Sequence, residues 1–217
     1  FTVTRLLPGD VARVILGREA GEEALRELRT ELGLNDPLHI QYVRWVADFV
    51  TGQWGTSYST GSQIRPLVAE RLGNSLMLAG LTLVISVPVA IVLGVIAGLK
   101  EGTFFDGLIS ISALSVVGLP EFVTGLILIQ IFAFGLNVLP ASSSIRSGTT
   151  FVEALPQLIL PALTATLVLL AYITRLTRAG VIEEMKESYV RTATLKGLPY
   201  RTVIFKHVLR NALLPTI

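Results

Sequence analysis

The sequence contains no cysteine and only two histidines, and these shortages limit its chemistry. Without cysteine, the chain has neither disulfides nor thiolate metal ligands. His39 and His207 lie too far apart in the sequence to indicate a local pair of ligands. The phosphate-binding pattern G-x-x-x-x-G-K-[ST] is also absent, so the chain lacks the loop that would cradle ATP. We therefore predict no metal site, no catalytic residues and no ATP hydrolysis by this chain.

Charged residues are scarce, at 16% of the chain against roughly 25% in soluble domains. Hydrophobic residues make up 51% of the sequence. No charged residue occurs in residues 72–99, 122–145 or 154–174. Each of these runs is long enough for a helix to cross a hydrocarbon core of roughly 30 Å. The composition therefore predicts an all-α membrane protein with three spanning helices.

The N-terminal region, residues 1–71, is polar and contains two short amphipathic patterns. Leucines recur at helical spacing before Gly33, which suits the end of a helix. A second pattern begins at Pro37, which suits the start of a helix. We expect two packing helices outside the membrane, followed by a Gly/Ser/Thr-rich connection over residues 51–62.

The first predicted span, about residues 75–99, carries a stripe of small residues at every fourth position. The stripe consists of Ser86, Ala90, Gly94 and Gly98. In lipid, a face of small residues lets two helix backbones approach closely. We expect this face to pack inside a helix bundle.

The second apolar run, residues 107–135, is interrupted by Pro120 and Glu121. Proline removes a backbone donor, so a helix break is expected there. A carboxylate inside hydrocarbon costs about 2.5–3.5 kcal/mol and usually faces a cavity or a partner. Two interpretations stay open. Glu121 lines a substrate path or a helix interface within a helix over residues 114–136, or it lies at the membrane surface between a surface helix (107–118) and a shorter, tilted span.

The third predicted span, residues 155–173, contains Pro156 and Pro161 and leads into a basic segment. Residues 175–217 contain eight Lys/Arg and three Glu. The positive-inside rule places this segment in the cytoplasm. Alternation across three spans then places the other polar segments: residues 1–71 outside, 100–106 inside and 137–154 outside.

A short helix over residues 183–195 is predicted within the basic segment, with Gly197 and Pro199 as its stop signal. Its centre is small, at Thr192 and Ala193, and cationic residues flank that centre. The residues alone allow two partners for such a surface helix. It fits a groove of another protein, and it also fits anionic lipid headgroups.

The run YVRTATLKGL, followed by HVLRNALLP and preceded by LILPALT and RLTR, resembles the cytoplasmic signature of binding-protein-dependent ABC importer permeases of the dipeptide/oligopeptide group. The upstream stretches LLPGD, LGLNDPLHIQYVRWV and GQWGTSY resemble the external N-terminal region of that group, so the resemblance covers nearly the whole chain. In such permeases this loop is a coupling helix that docks into a cleft of the ATPase subunit. The match assigns that contact to Tyr189, Val190, Arg191, Thr192, Ala193, Lys196 and Gly197.

Two features depart from the broader permease family. The general motif opens Glu-Ala-Ala, whereas this chain has Arg191, Thr192 and Ala193, and the distance from Gly197 to Pro215 is longer. Both departures fit the peptide group. Members of the family have a membrane helix before the external region and further helices after the loop, so we expect this chain to be truncated at both ends.

The resemblance implies a helical bundle like the transmembrane domain of a type I ABC importer, with an extracytoplasmic N-terminal helical segment. It implies the permease subunit of an ATP-driven importer that moves peptides by alternating access. Permeases for nickel complexes or glutathione, or a non-transporting membrane scaffold, are the alternatives. The implied partners are a homologous second permease, two ATPase subunits that hold ATP and Mg, an extracytoplasmic solute-binding protein and membrane lipids, with no nucleic acid. The implied location is a bacterial or archaeal inner membrane.

The predicted layout follows from these assignments. It comprises an extracytoplasmic helical segment (1–71), a transmembrane helix (72–99), a cytoplasmic turn (100–106), a surface helix plus a transmembrane helix broken near Pro120 (107–136), an external loop (137–154), a transmembrane helix (155–174), and a coupling loop with the start of the next helix (175–217), of which residues 175–210 form a basic cytoplasmic loop.

Overall fold

The computed structural model describes residues 10–17, 19–57 and 60–214. Within these residues the secondary structure is helical, and the β pairing is confined to an isolated bridge between Thr56 and Gln63. The predicted all-α fold is confirmed.

The described part of the first compact unit, Phe1–Gly73, contains three short helices. They are α1 (Val11–Leu16), α2 (Glu22–Glu31) and α3 (Leu38–Thr51). Asp10 caps α1 by accepting a hydrogen bond from the Ala12 N–H, and it also forms an ion pair with Arg29 of α2. Ala12 and Leu25 are buried between these helices. A second, exposed ion pair joins Arg13 of α1 to Glu22 of α2 at 2.7 Å. A small apolar contact and two ion pairs therefore hold α1 against α2.

The structure has a helix at each amphipathic pattern of the N-terminal region. α2 ends before Gly33, whose φ of +62° lies in the left-handed region that glycine adopts without strain. Pro37 is the N-cap of α3, where its missing N–H leaves no helical hydrogen bond unmade. Aromatic rings follow one another along the end of α3, with centroids 5.8 Å apart for Trp45 and Phe49 and 5.4 Å apart for Phe49 and Trp54.

The second compact unit, Asn74–Ile217, is built mainly from longer helices. Its elements are α4 (Ile64–Leu99, which begins in the first unit), α5 (Phe104–Gly118), α6 (Glu121–Leu128) continued by the π-helix π1 (Ile129–Gly135), α7 (Phe151–Met185), α8 (Ser188–Leu195), α9 (Tyr200–Thr202), the π-helix π2 (Val203–Val208) and α10 (Leu209–Ala212).

Two predicted spans are shorter than the helices that contain them. We predicted a span over residues 75–99, but α4 already begins at Ile64. We predicted a span over residues 155–173, but α7 continues to Met185. The reason is that a charged residue marks where a helix meets water, whereas backbone hydrogen bonding continues past it. The predicted start of the first span and the predicted end of the third therefore do not coincide with helix ends, whereas the first span ends at Leu99 as predicted.

The second apolar run is broken, as the position of Pro120 suggested. α5 and α6 meet at an angle of 105°. Leu119 has an extended backbone, with φ −92° and ψ 134°, which is the conformation that a following proline favours. The interpretation of one continuous helix over residues 114–136 is therefore wrong, and the interpretation of two helices separated at Pro120 describes the structure.

The predicted helix over residues 183–195 is also two helices. α7 ends at Met185, Glu187 has an extended backbone, and α8 starts at Ser188. The turn brings Val190 onto the same buried cluster as Val181 of α7. A straight continuation of α7 would carry Val190 away from that cluster, so packing rather than local sequence decides the break.

Two of the described helices, α4 and α7, are long and apolar enough to cross a membrane. The bent pair of α5 and α6 with π1 passes the same test only when it is taken together, as one broken span. The three predicted spans therefore correspond to two unbroken helices and one broken pair.

Candidate functional site

α8 is attached to the protein by one of its faces. Val190 and Ala193 lie one helical turn apart and are 5% and 8% exposed. They belong to a buried group that we call the α8 core cluster. Its members are Val181, Val190, Ala193, Val203, Ile204, Val208 and Ala212. Because the cluster includes residues of α7, π2 and α10, α8 cannot shift without moving these elements.

The other face of α8 is open to solvent. Arg191, Thr192 and Lys196 are exposed, and Leu195 is 80% exposed. An exposed leucine between cationic side chains is a feature of surfaces that bind another macromolecule. Leu195 was not singled out from the sequence, although it lies off the helical face that carries Val190 and Ala193 and could have been found by that position.

Gly197 ends α8 with a left-handed backbone. Its φ is +75°, its N–H donates to the Thr194 carbonyl at 3.0 Å, and the Leu198 N–H donates to the Ala193 carbonyl at 3.3 Å. These two bonds form a Schellman motif, which satisfies carbonyls that the helix end leaves free. Glycine is required because a side chain is strained at this φ. Gly197 therefore fixes where α8 ends and how the chain leaves it.

Tyr189 joins α8 to α7 and α10. Its hydroxyl donates to the Glu184 carboxylate of α7 and accepts a hydrogen bond of 3.1 Å from the Asn211 side chain of α10. Burial, together with the nearby Glu184 carboxylate, raises the pKa of Tyr189. The phenol is protonated at neutral pH in any case, and the raised pKa keeps it able to donate to Glu184 under more alkaline conditions as well.

The seven residues that the resemblance assigned to a partner contact fall into two groups. Val190 and Ala193 are buried in the chain's own core, and the Tyr189 hydroxyl is bonded within the chain. The expectation that the side chains of Val190 and Ala193 contact a partner therefore needs correction, because a helix this short must bury one face to be held in place. The residues on the open side are Arg191, Thr192, Lys196 and Gly197.

An ion pair between α5 and α7 was not predicted from the sequence. Arg178 donates from Nε to Asp106 Oδ1 at 2.5 Å and from Nη2 to Oδ2 at 2.8 Å. The Gly102 N–H and the Ser110 hydroxyl also donate to this carboxylate, at 3.0 and 3.3 Å. The Asp106 side chain is only 7% exposed, and a bidentate pair of this kind fixes orientation as well as distance. Asp106 thus joins the start of α5 to α7.

The stripe of small residues on α4 lies against α7. Ser86 and Ala90 are fully buried, and the Thr174 hydroxyl of α7 donates to the Ala90 carbonyl at 3.3 Å. A Cβ added at Gly94 would lie 2.5 Å from the Thr177 Cβ. At Gly98 it would lie 2.7 Å from the Cβ of Val181, a member of the α8 core cluster. The two backbones are therefore as close as glycine allows.

Glu121 lies in the first turn of α6, directly after the Pro120 break. It lines a cavity of about 470 Å³ together with Gln157 and Pro161 of α7. The structure does not bring Glu121 near α8, so the predicted coupling residues and the predicted pathway residue belong to two separate sites. Both sites, however, involve α7.

Family comparison identifies the class of protein that these features define. Residues 90–217 match the model of the binding-protein-dependent transport system inner membrane component, and residues 1–79 match that of its N-terminal region. The chain belongs to this family, whose fold is the transmembrane domain of a type I ABC importer. It is an ABC permease and a multi-pass inner-membrane protein.

The chain is also similar to individual transport permeases. The chain is 37% identical over 219 residues to a probable peptide ABC transporter permease protein, y4tP, from Sinorhizobium fredii, covering all of this chain and 69% of that protein. It is 32% identical over 238 residues to the probable D,D-dipeptide transport system permease protein DdpB of Escherichia coli, covering 100% and 70%. It is also 32% identical over 217 residues to the glutathione transport system permease protein GsiC of Salmonella paratyphi A, covering 100% and 68%.

Proposed function

We propose that this chain is the permease subunit of an ATP-driven peptide importer and that α8 transmits the movement of a partner ATPase into the membrane. The observation that carries this proposal is the two-sided character of α8. One side is packed into the chain's own core, and the other presents Arg191, Thr192, Leu195 and Lys196 to solvent. The names of two similar permeases support peptides as the substrate class.

Energy must come from outside this chain, because its sequence has no phosphate-binding loop. In the proposed mechanism ATP and Mg bind to two partner ATPase subunits, and closure of those subunits moves α8. The α8 core cluster and the Tyr189 hydrogen bonds pass that movement to α7. The glycine contacts with α4 and the ion pair with α5 then make the three helices move together. ATP thereby biases a two-state bundle between its inward-facing and outward-facing forms.

The remaining partners follow from the same proposal. A homologous second permease completes the pathway, and a solute-binding protein delivers the peptide on the outer side. The first unit supports the latter contact, since α3 exposes aromatic side chains such as Trp45 and Phe49. Residues 1–71 and 137–154 are the proposed outer contacts, and residues 175–210 lie in the cytoplasm, because of their positive charge.

Glutathione is the second candidate substrate. A similar protein is a glutathione transport system permease, with an identity close to that of the dipeptide relative. Glutathione is itself a small peptide with a free amino group, so both candidates place a protonated amino group in the pathway. Competition between glutathione and short peptides for uptake by the complete importer separates them.

A charge reversal on α8 tests the coupling role. Arg191→Glu with Lys196→Glu should abolish association with the ATPase subunits and stop peptide uptake, while membrane insertion is unchanged, because both side chains are exposed and outside the core. Co-purification of the subunits and uptake into proteoliposomes measure the two effects.

The matched control is Arg201→Glu with Lys206→Glu. It makes the same change of charge in the same basic segment, but outside α8, at two exposed residues. The control should retain association and uptake. Equal loss in both variants would contradict a specific α8 contact and favour attraction to anionic lipid headgroups, whereas transport by the α8 variant would refute the coupling role.

A further inference from the structure

The cavity beside the Pro120 break has the form of a ligand site. Its volume of about 470 Å³ lies within the roughly 300–1,000 Å³ typical of small-molecule sites. Apolar side chains such as Phe122, Ile129 and Leu160 form most of its wall. α6 and π1 line one side, α7 lines another, and Leu78 of α4 and the segment around Pro140 complete it. An apolar wall with a few polar groups is the usual composition of a site that fixes the orientation of its ligand.

The charge of the cavity is unbalanced. Glu121 lines it, and none of the lining residues is Lys, Arg or His. Glu121 also makes no hydrogen bond or ion pair with any residue in the described part of the chain. Its side chain is exposed, so a ligand can reach it. A carboxylate without a cationic neighbour attracts a positively charged ligand group, and the apolar walls around it strengthen that attraction by lowering the local dielectric constant.

Besides the Gln157 amide and the Ser143 hydroxyl, which can donate as well as accept, the wall has two further acceptors. Pro161 has no N–H, so the Gln157 carbonyl lacks the donor that a helix normally provides four residues later. The Thr164 hydroxyl donates its proton to the Leu160 carbonyl at 2.9 Å, which leaves its own oxygen as an acceptor. Carboxylate, carbonyl and hydroxyl oxygens together suit a ligand group with several N–H donors.

Stabilisation by the helix dipole does not fully explain why Glu121 occurs at the start of α6. An acidic residue in the first turn of a helix is stabilised by the free N–H groups there. Glu153, in the first turn of α7, shows what that role looks like. Its carboxylate accepts hydrogen bonds from the Thr150 N–H at 3.0 Å and the Thr150 hydroxyl at 2.8 Å. Glu121 has no such bonds, and it lines a cavity where Glu153 does not.

We propose that this cavity binds the protonated amino terminus of the transported peptide, with Glu121 as its ion partner. The inference rests on the proposed peptide importer and adds a substrate-binding residue to it. An ammonium group offers three N–H donors, which match the acceptors of the wall. The apolar side chains opposite then contact the first side chains of the peptide without selecting among them.

The test compares free and N-acetylated peptides. The complete importer, with full-length permease, partner permease, ATPases and binding protein, is reconstituted in proteoliposomes and given a mixture of di- to pentapeptides in both forms. Wild type should import the free peptides preferentially. Glu121→Gln should reduce that preference about tenfold, since a hydrogen-bonded charge is lost. The binding protein is the same in every sample, so a change in preference between variants reports on the permease.

Glu153→Gln is the matched control. It makes the same substitution in the first turn of a helix, outside the cavity, and glutamine also suits the capping box there. The control should keep the wild-type preference. An unchanged preference in Glu121→Gln, or an equal loss in the control, would overturn the role of Glu121 while leaving the peptide importer intact. Absence of any peptide uptake by wild type would instead overturn the proposed function, and the ligand class with it.

Glu121→Asp decides the matter should Glu121→Gln fail to accumulate in the membrane. It keeps the negative charge at the start of α6 but withdraws the carboxylate by one methylene group. The preference for free peptides should fall by a smaller factor than the amide variant produces. A wild-type preference in this variant would overturn the proposal, because the carboxylate position would then be irrelevant.

Discussion

The two halves of α7 meet their neighbours in different ways. In the C-terminal half, Thr177 and Val181 touch glycines of α4, and Arg178 is paired with Asp106. In the N-terminal half, Pro161 and neighbouring residues border a cavity. Both halves bury residues, but α7 meets α4 at glycine distance at the end near α8 and borders a cavity at the end near the α5–α6 bend.

This difference matches the two tasks of a permease. A displacement of one helix moves its neighbour efficiently when the two are closely packed, because protein interiors have low compressibility. Helix faces of small residues allow such close packing. Ligand binding needs space and unpaired polar groups, and both occur beside the Pro120 break. In the mechanism proposed above, α7 would link movement of α8 at one end to the access of a substrate at the other.

Removal of Asp106 should have the largest effect on the rigid end. Asp106→Ala leaves the Arg178 guanidinium without its partner, and breaking a buried pair costs about 3–5 kcal/mol. Because the Arg178 side chain is 31% exposed, we expect the lower end of that range, about 3 kcal/mol. Thermal unfolding of the purified permease in detergent measures the loss.

Glu101→Ala is the control for that experiment. Glu101 is an exposed acid in the same turn, and its contact with Lys186 is long, at 3.7 Å. An exposed pair of this kind contributes less than about 1 kcal/mol. Similar destabilisation by the two variants would show that the geometry of the Asp106 pair is unimportant.

A methyl group at Gly94 should have the next largest effect. In Gly94→Ala the new Cβ would lie 2.5 Å from the Thr177 Cβ and 2.7 Å from the Thr174 carbonyl oxygen, so α4 must move away from α7. Overpacking of this kind costs about 1–3 kcal/mol. We expect a lower unfolding temperature and weaker coupling of ATP hydrolysis to uptake in the reconstituted importer.

Gly80→Ala separates packing from helix propensity. Gly80 lies in the same helix, and a Cβ there meets nothing within 4 Å. Alanine should therefore be neutral or favourable, by at most about 1 kcal/mol. If Gly94→Ala is equally well tolerated, the close packing of α4 against α7 is not required for stability.

The sequence predicted the rigid end only in part. The stripe of Ser86, Ala90, Gly94 and Gly98 is visible because its period of four follows from helix geometry. The partner of that stripe is not visible. Asp106 and Arg178 are 72 residues apart, and no local pattern connects them. The position of Asp106, alone at the start of an apolar run, was the available signal.

At the end of α7 that borders the cavity, the sequence prediction rested on two residues that are unusual in an apolar run. These residues are Pro120 and Glu121. The free-energy cost of a carboxylate in hydrocarbon marked Glu121, with the adjacent Pro120, as a candidate for the pathway or for a helix interface. The sequence could not provide the cavity, because its wall combines segments from α4, α6, π1 and α7. For α8 the sequence and the resemblance gave the position, but only packing showed that Val190 and Ala193 face inward.

A methyl group at Gly125 should have the smallest effect and sharpens the contrast with Gly94. Gly125 lines the cavity, and a Cβ there would lie 3.6 Å from the Thr164 Cγ2, which is an ordinary contact distance. Gly125→Ala should therefore leave the permease folded and gain about 0.5–1 kcal/mol from the reduced freedom of the unfolded chain. Unfolding of both variants in detergent measures whether the unfolding free energy rises in Gly125→Ala and falls in Gly94→Ala. Destabilisation of Gly125→Ala comparable to that of Gly94→Ala would mean that α6 packs against α7 as closely as α4 does. The two ends of α7 would then not differ in the way that a rigid transmitter and an open binding site require.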